Sequence, residues 1–221
     1  MKIGIIGAGN LGTGLAKRLQ PGGHSVMLSF SRDAAKLRSA ADSLGAQTGT
    51  PEDTAEFADI VILATPWSAT GEALRQAGKP SGTKVLWDCT NTLKADMSGL
   101  QIGTTTSGGE EVAKLAPWAR VVKAIPPFAE VLHSSSTLVA GRRPGVFVCG
   151  DDAEARATVS RLVSEIGGEP VDAGPLQLAR YTEPAAMLLV QLAYMRGFGA
   201  RIGLTLAYDT AASAQSATPR D

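Results

Sequence analysis

The stretch that most limits what this chain can fold into is its opening. Lys2-Ile3-Gly4-Ile5-Ile6 is a short apolar run, and Gly7-Ala8-Gly9-Asn10-Leu11-Gly12 follows it at once. Thr13-Gly14-Leu15-Ala16-Lys17-Arg18-Leu19 then has the composition and spacing of a helix. Strand, glycine turn and helix is the context in which Gly-x-Gly-x-x-Gly holds a dinucleotide. Gly7 would permit the tight turn, Gly9 would let backbone approach a pyrophosphate, and Gly12 would let helix and strand pack closely. The helix start offers free N–H groups and the positive end of a dipole to phosphate. The bland alternative is a glycine-rich turn with no ligand.

The helix is expected to stop at Pro21-Gly22-Gly23, and His24 to Phe30 reads as the second strand. In an NAD-binding fold a carboxylate near this strand's tip bonds the adenosine ribose. Here the tip is Ser31-Arg32, with Lys36 one helical turn later, and Asp33 fits better as a helix-start residue. A hydroxyl and two cations suit a 2′-phosphate, which Arg can bond bidentately and a carboxylate would repel. NADP is therefore favoured over NAD, the alternative being an ordinary basic helix start.

Strand and helix patterns continue to alternate. Asp33 to Leu44 reads as helix, Thr54 to Ala58 as a short helical piece, and Ile60 to Ala64 as a buried strand ending in Thr65-Pro66-Trp67. Trp67 is either a core aromatic or a ring flanking a flat cofactor. Ala69 to Ala77 is helical, and Lys84 to Cys89 is a strand ending in Thr90-Asn91-Thr92. Acids in the first turn mark a helix at Gly108 to Leu115. Arg120 to Ala124 is a strand ending in Ile125-Pro126-Pro127-Phe128. Ligands bind beyond the carboxyl ends of parallel strands, so these polar and proline-rich ends become candidates.

The last third adds a strand at Gly145 to Gly150, a helix from Ala153 to Ile166 started by Asp151-Asp152, and a short strand at Pro170 to Asp172. Gln177 to Leu206 reads as a long helical tract, apolar nearly all round, as a buried or dimer-forming helix would be. The fold class is thus α/β: a doubly wound, mostly parallel Rossmann-type sheet with a small α/β C-terminal part ending in an apolar helical tract. Residues 1–123 would form the NADP-binding domain and 124–221 a smaller substrate and dimerisation part, with a mobile tail at 210–221.

Charge narrows the function. Lys plus Arg and Asp plus Glu both number 21, so no basic excess points to nucleic acid. Cys89 and Cys149 lack metal-ligand spacing and fit buried strand positions in a reducing compartment, and no metal site is expected. Ala185 to Met195 is too short to span a bilayer. With a strand at the very N-terminus there is no room for a signal peptide, and a cytoplasmic protein is expected.

These segments together resemble the NADPH-dependent reductases of the deazaflavin coenzyme F420 and their wider group, which includes the cytosolic domain of STEAP-type metalloreductases. The resemblance rests on Gly7-Ala8-Gly9-Asn10-Leu11-Gly12, Ser31-Arg32 with Lys36, Thr65-Pro66-Trp67 and Asp88-Cys89-Thr90-Asn91. It continues through Val121-Val122-Lys123-Ala124, Val148-Cys149-Gly150-Asp151-Asp152 and Asp172-Ala173-Gly174-Pro175-Leu176. It implies hydride transfer between NADPH and a deazaflavin or flavin, chemistry that belongs to the cofactors and asks the protein for positioning. It implies that Gly7, Gly9, Asn10, Leu11 and Gly12 hold the pyrophosphate, and Ser31, Arg32 and Lys36 the adenosine phosphate. Thr65, Pro66 and Trp67 would line the middle of the cofactor, Thr90 and Asn91 the nicotinamide ribose, and Ala124 the nicotinamide amide.

Many relatives place a polar Asn-Thr after Lys-Ala-Phe, where this chain has Ile125-Pro126-Pro127-Phe128. Ile125, Pro126, Pro127 and His133 are the candidate substrate pocket. His133 is either a polar group near the second ligand or a surface-loop histidine, and no catalytic acid or base is assigned. Two other functions stay open: reduction of a small imine or keto acid, and a non-catalytic NADP-sensing module.

Overall fold

The computed structural model describes residues 1–31 and 33–209. Arg32 and the tail 210–221, both named above, lie outside the described residues. The sequence builds its sheet from the middle outward. β1 (Lys2–Ile6) and β4 (Ile60–Leu63) pair in parallel, and Ile3, Ile5, Ile6, Ile62 and Leu63 are fully buried. A parallel strand covered by helices on both faces must be apolar throughout, which is why Ile60-Val61-Ile62-Leu63 shows no alternation.

β2 (Ser25–Ser29) and β3 (Gln47–Thr48) extend the sheet on one side, and β5 (Lys84–Asp88) and β6 (Ala119–Lys123) on the other. β7 (Gly145–Gly150) and β8 (Glu169–Gly174) complete one eight-stranded sheet in the order β3-β2-β1-β4-β5-β6-β7-β8. Only the β6–β7 pairing is antiparallel. The sheet therefore runs unbroken past the expected domain boundary after residue 123, and only the strand direction changes there. Strand order reverses at β1, the switch point where such sheets open a crevice beyond their carboxyl ends.

Helices cover both faces: α1 (Asn10–Leu19), α2 (Ala34–Leu44), α3 (Pro51–Phe57), α4 (Trp67–Ala77), α5 (Gly108–Leu115), α6 (Ala129–His133), α7 (Ala153–Glu165) and α8 (Ala179–Val190). Their starts follow from sequence. Asp33 caps α2 by accepting from the N–H groups of Ala35 and Lys36 at 2.9 and 3.1 Å. Thr50 and Asp53 form a capping box that begins α3 at Pro51, three residues before the Thr54 expected. Asp152 caps α7.

Two expectations need correction. The segment after Pro126-Pro127 contains the short helix α6, concealed in the sequence by the two prolines. The long helical tract ends early: α8 passes through a π turn, Gln191–Met195, and stops. With Gly197 at φ 76° and Gly199 at φ 77°, the N–H groups of Phe198 and Gly199 fold back onto the carbonyls of Leu192 and Ala193. The chain beyond crosses to β7, where the Gly145 N–H donates to the Leu204 carbonyl at 2.7 Å. Among the described residues no helix is long and apolar enough to cross a membrane, and no cluster of His, Cys, Asp or Glu is placed to hold a metal.

Candidate functional site

The glycine turn shows its purpose atom by atom. A side chain at Gly12 would place its Cβ 1.9 Å from the Gly7 carbonyl oxygen, and one at Gly7 would meet the Ala64 carbonyl at 2.4 Å with φ at +117°. Both glycines are required by the protein's own packing. Gly9 differs: a Cβ there would touch nothing within 4 Å. The space above Gly9 is left open at the head of α1, whose N-cap has no side-chain partner and whose first turn has no acid. Free N–H groups, a positive dipole end and clearance for close approach fit a pyrophosphate.

β2 delivers the second element. The N–H groups of Gly7 and Ala8 donate to the carbonyls of Ser29 and Phe30 at 3.0 and 3.4 Å, so the strand tip sits against the turn. Ser31 and Lys36 are exposed there. Asp33 is occupied as the α2 cap, with its carboxyl held below its ordinary pKa chiefly by the Lys36 N–H. Its position leaves the strand tip without a competing acid.

Beyond the turn a cavity of about 690 Å³ opens over the carboxyl ends of β1, β4, β5 and β6. Asn10, Leu11, Thr65, Pro66, Trp67, Thr90, Asn91, Ile125, Pro126 and Pro127 all line it. Gly7, Gly9, Gly12, Ser31 and Lys36 lie outside that lining. Trp67 serves both readings offered for it, packing on the core and facing the cavity. Ala124 does not reach the cavity: it is buried, its N–H donates to the Asp88 carbonyl at 3.1 Å, and its own carbonyl accepts the Trp87 indole N–H at 2.8 Å. His133 does not line it either. Its Nε2 lies 2.9 Å from the Asn10 carbonyl, joining α6 to the start of α1.

The far wall was not legible in the sequence. α8 contributes Thr182, Ala185, Ala186 and Leu189, while Phe147 and Leu204 close the chamber from β7 and the returning chain. Phe128 and Tyr194 meet edge to face, with ring centroids 5.7 Å apart, at its border. Cys89 also faces the cavity, and burial, with Asp88's charge behind it, pushes its thiol pKa well up. The thiol is thus held neutral.

Beneath the floor is a buried ion cluster. Lys123, wholly buried, donates from Nζ to Asp88 Oδ2 at 2.8 Å and to the Thr90 carbonyl at 2.7 Å, and lies 3.2 Å from Glu183 Oε1. Glu183 also accepts the N–H groups of Gly108 and Gly109 at 2.9 Å each, at the start of α5. Burial alone would lower the Lys123 pKa, but the two carboxylates outweigh it and raise it. Every charge is therefore met. A lysine directly after the apolar pair Val121-Val122 and a lone acid in an apolar tract were the signals that sequence reasoning passed over.

Comparison with known proteins follows the same lines. The sequence profile of the family "NADP oxidoreductase coenzyme F420-dependent" matches residues 2–92. The chain is 29% identical over 212 residues to the F420-dependent NADP reductase of Methanothermobacter thermautotrophicus, covering 87% of this chain and 89% of that one. It is 31% identical over 192 residues to the rat metalloreductase STEAP3, covering 86% of this chain but only 37% of the relative's length. A crystal structure of a putative F420-dependent NADP-reductase from Arthrobacter sp. FB24 superposes with a TM-score of 0.83 at 26% identity, covering 94% of this chain and all of that one.

Proposed function

We propose that the chain is one of the coenzyme F420-dependent NADP oxidoreductases and transfers a hydride between NADPH and a flat ring, either the deazaflavin F420 or a flavin. The observation that carries this reading is the continuity of the site. Asn10 and Leu11, which follow the unobstructed Gly9, line the same chamber as the ends of β4 and β5 and the residues of α8. NADPH, when bound, supplies the hydride.

The protein's part is geometric. The α1 N-terminus would hold the pyrophosphate, and Ser31, Arg32 and Lys36 the 2′-phosphate. Thr65, Trp67, Thr90 and Asn91 would flank the rest of the cofactor. Pro126, Pro127 and the α8 residues would press the acceptor ring against it and exclude water, so that proximity does most of the work. Pro126 and Pro127 are both buried, which gives that wall a stiff surface without backbone donors.

The test is stopped-flow loss of NADPH absorbance with F420, FMN and FAD in turn. Oxidation of NADPH by at least one of them is the expected result, and silence with all three would sink the reductase reading. NADPH binding without any turnover would instead favour the NADP-sensing module. Reduction of an imine or keto acid has less support, because the C-terminal part supplies strands β7 and β8 alongside α6, α7 and α8 rather than an all-helical domain.

We also propose a homodimer. Tyr181 and Leu188 on α8 are 66% and 58% exposed, and Phe198 beyond it 69%, an apolar surface that a second chain would cover. Sedimentation at micromolar concentration tests it, a monomer being the contrary result. A cytoplasmic location is consistent with Cys89 and Cys149, which are free thiols.

A further inference from the structure

We infer that Lys123 is a positioning residue, which fixes the Thr90–Asn91 strand end beneath the nicotinamide half of the cofactor and ties it to the acceptor wall. The inference rests on the proposed placement of NADP. It is carried by how completely Thr90 is held. Its N–H donates to Asp88 Oδ1 at 2.9 Å, while its carbonyl accepts from Lys123 Nζ at 2.7 Å. Asp88 and Lys123 are themselves paired at 2.8 Å, so a single buried ion pair clamps both backbone groups of one cavity-lining residue.

The next residue is held from the other side. The Asn91 side-chain amide donates to the Glu183 carbonyl at 3.3 Å, and its oxygen accepts the Thr92 N–H at 2.9 Å. Glu183 sits on the helix that supplies Thr182, Ala185, Ala186 and Leu189 to the chamber, and its carboxylate returns to Lys123. One ammonium with three donors thus meets three acceptors from β5, from the loop after β5, and from α8. An ion cluster placed only for stability would gain nothing by sitting here, since buried pairs are poor stabilisers compared with apolar packing. Placed here, it sets the spacing between the cofactor floor and the acceptor wall. None of these three charged groups lines the cavity, so the effect is through Thr90 and Asn91.

The test separates the two halves of the cofactor. Calorimetry would compare Lys123→Met with the native protein, using NADPH and adenosine 2′,5′-bisphosphate, which carries the adenosine end alone. NADPH affinity should fall about tenfold, the worth of one or two misdirected polar contacts, while the bisphosphate binds as before. Equal losses for both ligands, or no loss for either in a folded variant, would overturn the inference. If Lys123→Met does not fold, Asp88→Asn decides the matter. The Thr90 N–H and Lys123 bond different carboxylate oxygens, one of which becomes an amide nitrogen, so one of the two contacts is lost and the same split is expected. A native protein that binds neither ligand would overturn the NADP reading itself, a failure distinguishable from these.

Discussion

The glycine turn and the α8 wall serve the same proposed site but are built in opposite ways. The turn is local: the six residues Gly7 to Gly12, two of them glycines that the backbone itself demands, and a helix start whose donors need no tertiary partner to point outward. The wall is assembled from distant pieces, with α8 clamped to the rest of the protein by polar contacts. Glu183 reaches Lys123 and α5, and Arg180 holds Glu110 through two bonds of 2.9 and 2.7 Å. The difference teaches where each half can vary. The cofactor end tolerates almost no change at its glycines, whereas the acceptor end can alter its lining while the clamps hold.

Substitutions at the two ends should break or sharpen this contrast. The largest effect is expected from Gly12→Ala, whose new methyl group would collide with the Gly7 carbonyl. Stability should fall by about 3 kcal/mol, with NADPH binding lost, as thermal melting and calorimetry would report. Gly9→Ala at the same turn should melt like the native protein and still bind NADPH more weakly, because its methyl group meets only the ligand's space. A destabilised Gly9 variant would refute the division of labour within the turn.

Arg32→Ala comes next. NADPH affinity should drop by about 2 kcal/mol through loss of a charge-assisted phosphate bond, with NADH little affected. At the other end, Ala186→Trp should fill the chamber. Acceptor turnover should fall about tenfold or more while NADPH affinity stays within twofold, because only contacts to the second ligand are lost. Equal losses in both would mean that the two ends are not separate.

The smallest effect concerns the clamp between Arg180 and Glu110. The Arg180 hydrogen bond holds the Glu110 carboxyl below its ordinary pKa of 4.5. Because the folded value is the depressed one, the stabilisation is present above the ordinary carboxylate range and is lost as pH falls through the folded pKa. Arg180→Ala should therefore cost about 1 kcal/mol at pH 7, with the gap between variant and native melting curves closing below about pH 4.5. A gap that persists undiminished in acid would assign the loss to packing.

Much of this was legible before any coordinates. The βα alternation, the eight strands apart from β3, the Asp33 and Asp152 helix starts and the absence of an acid at the β2 tip all follow from local chemistry: apolar runs, caps and breakers act within a few residues of themselves. Thr65 to Trp67 and Thr90 to Asn91 line the cavity as expected of a strand's carboxyl end, a position that sequence can locate. Ala124 and His133 failed the same logic. Each follows a strand that ends at the site, yet Trp87 and Asp88 draw Ala124 inward, and α6 turns His133 back onto α1.

The sequence by itself determined a parallel dinucleotide fold and the end at which phosphate would lie, because those depend on spacing within single segments. Only the tertiary structure decided the chamber proposed to take the acceptor. Its walls come from residues as distant along the chain as Asn10 and Leu204, and its floor is set by a lysine, an aspartate and a glutamate from three separate elements. No pattern along the chain encodes such a meeting. It exists because burial requires each of those charges to find the others.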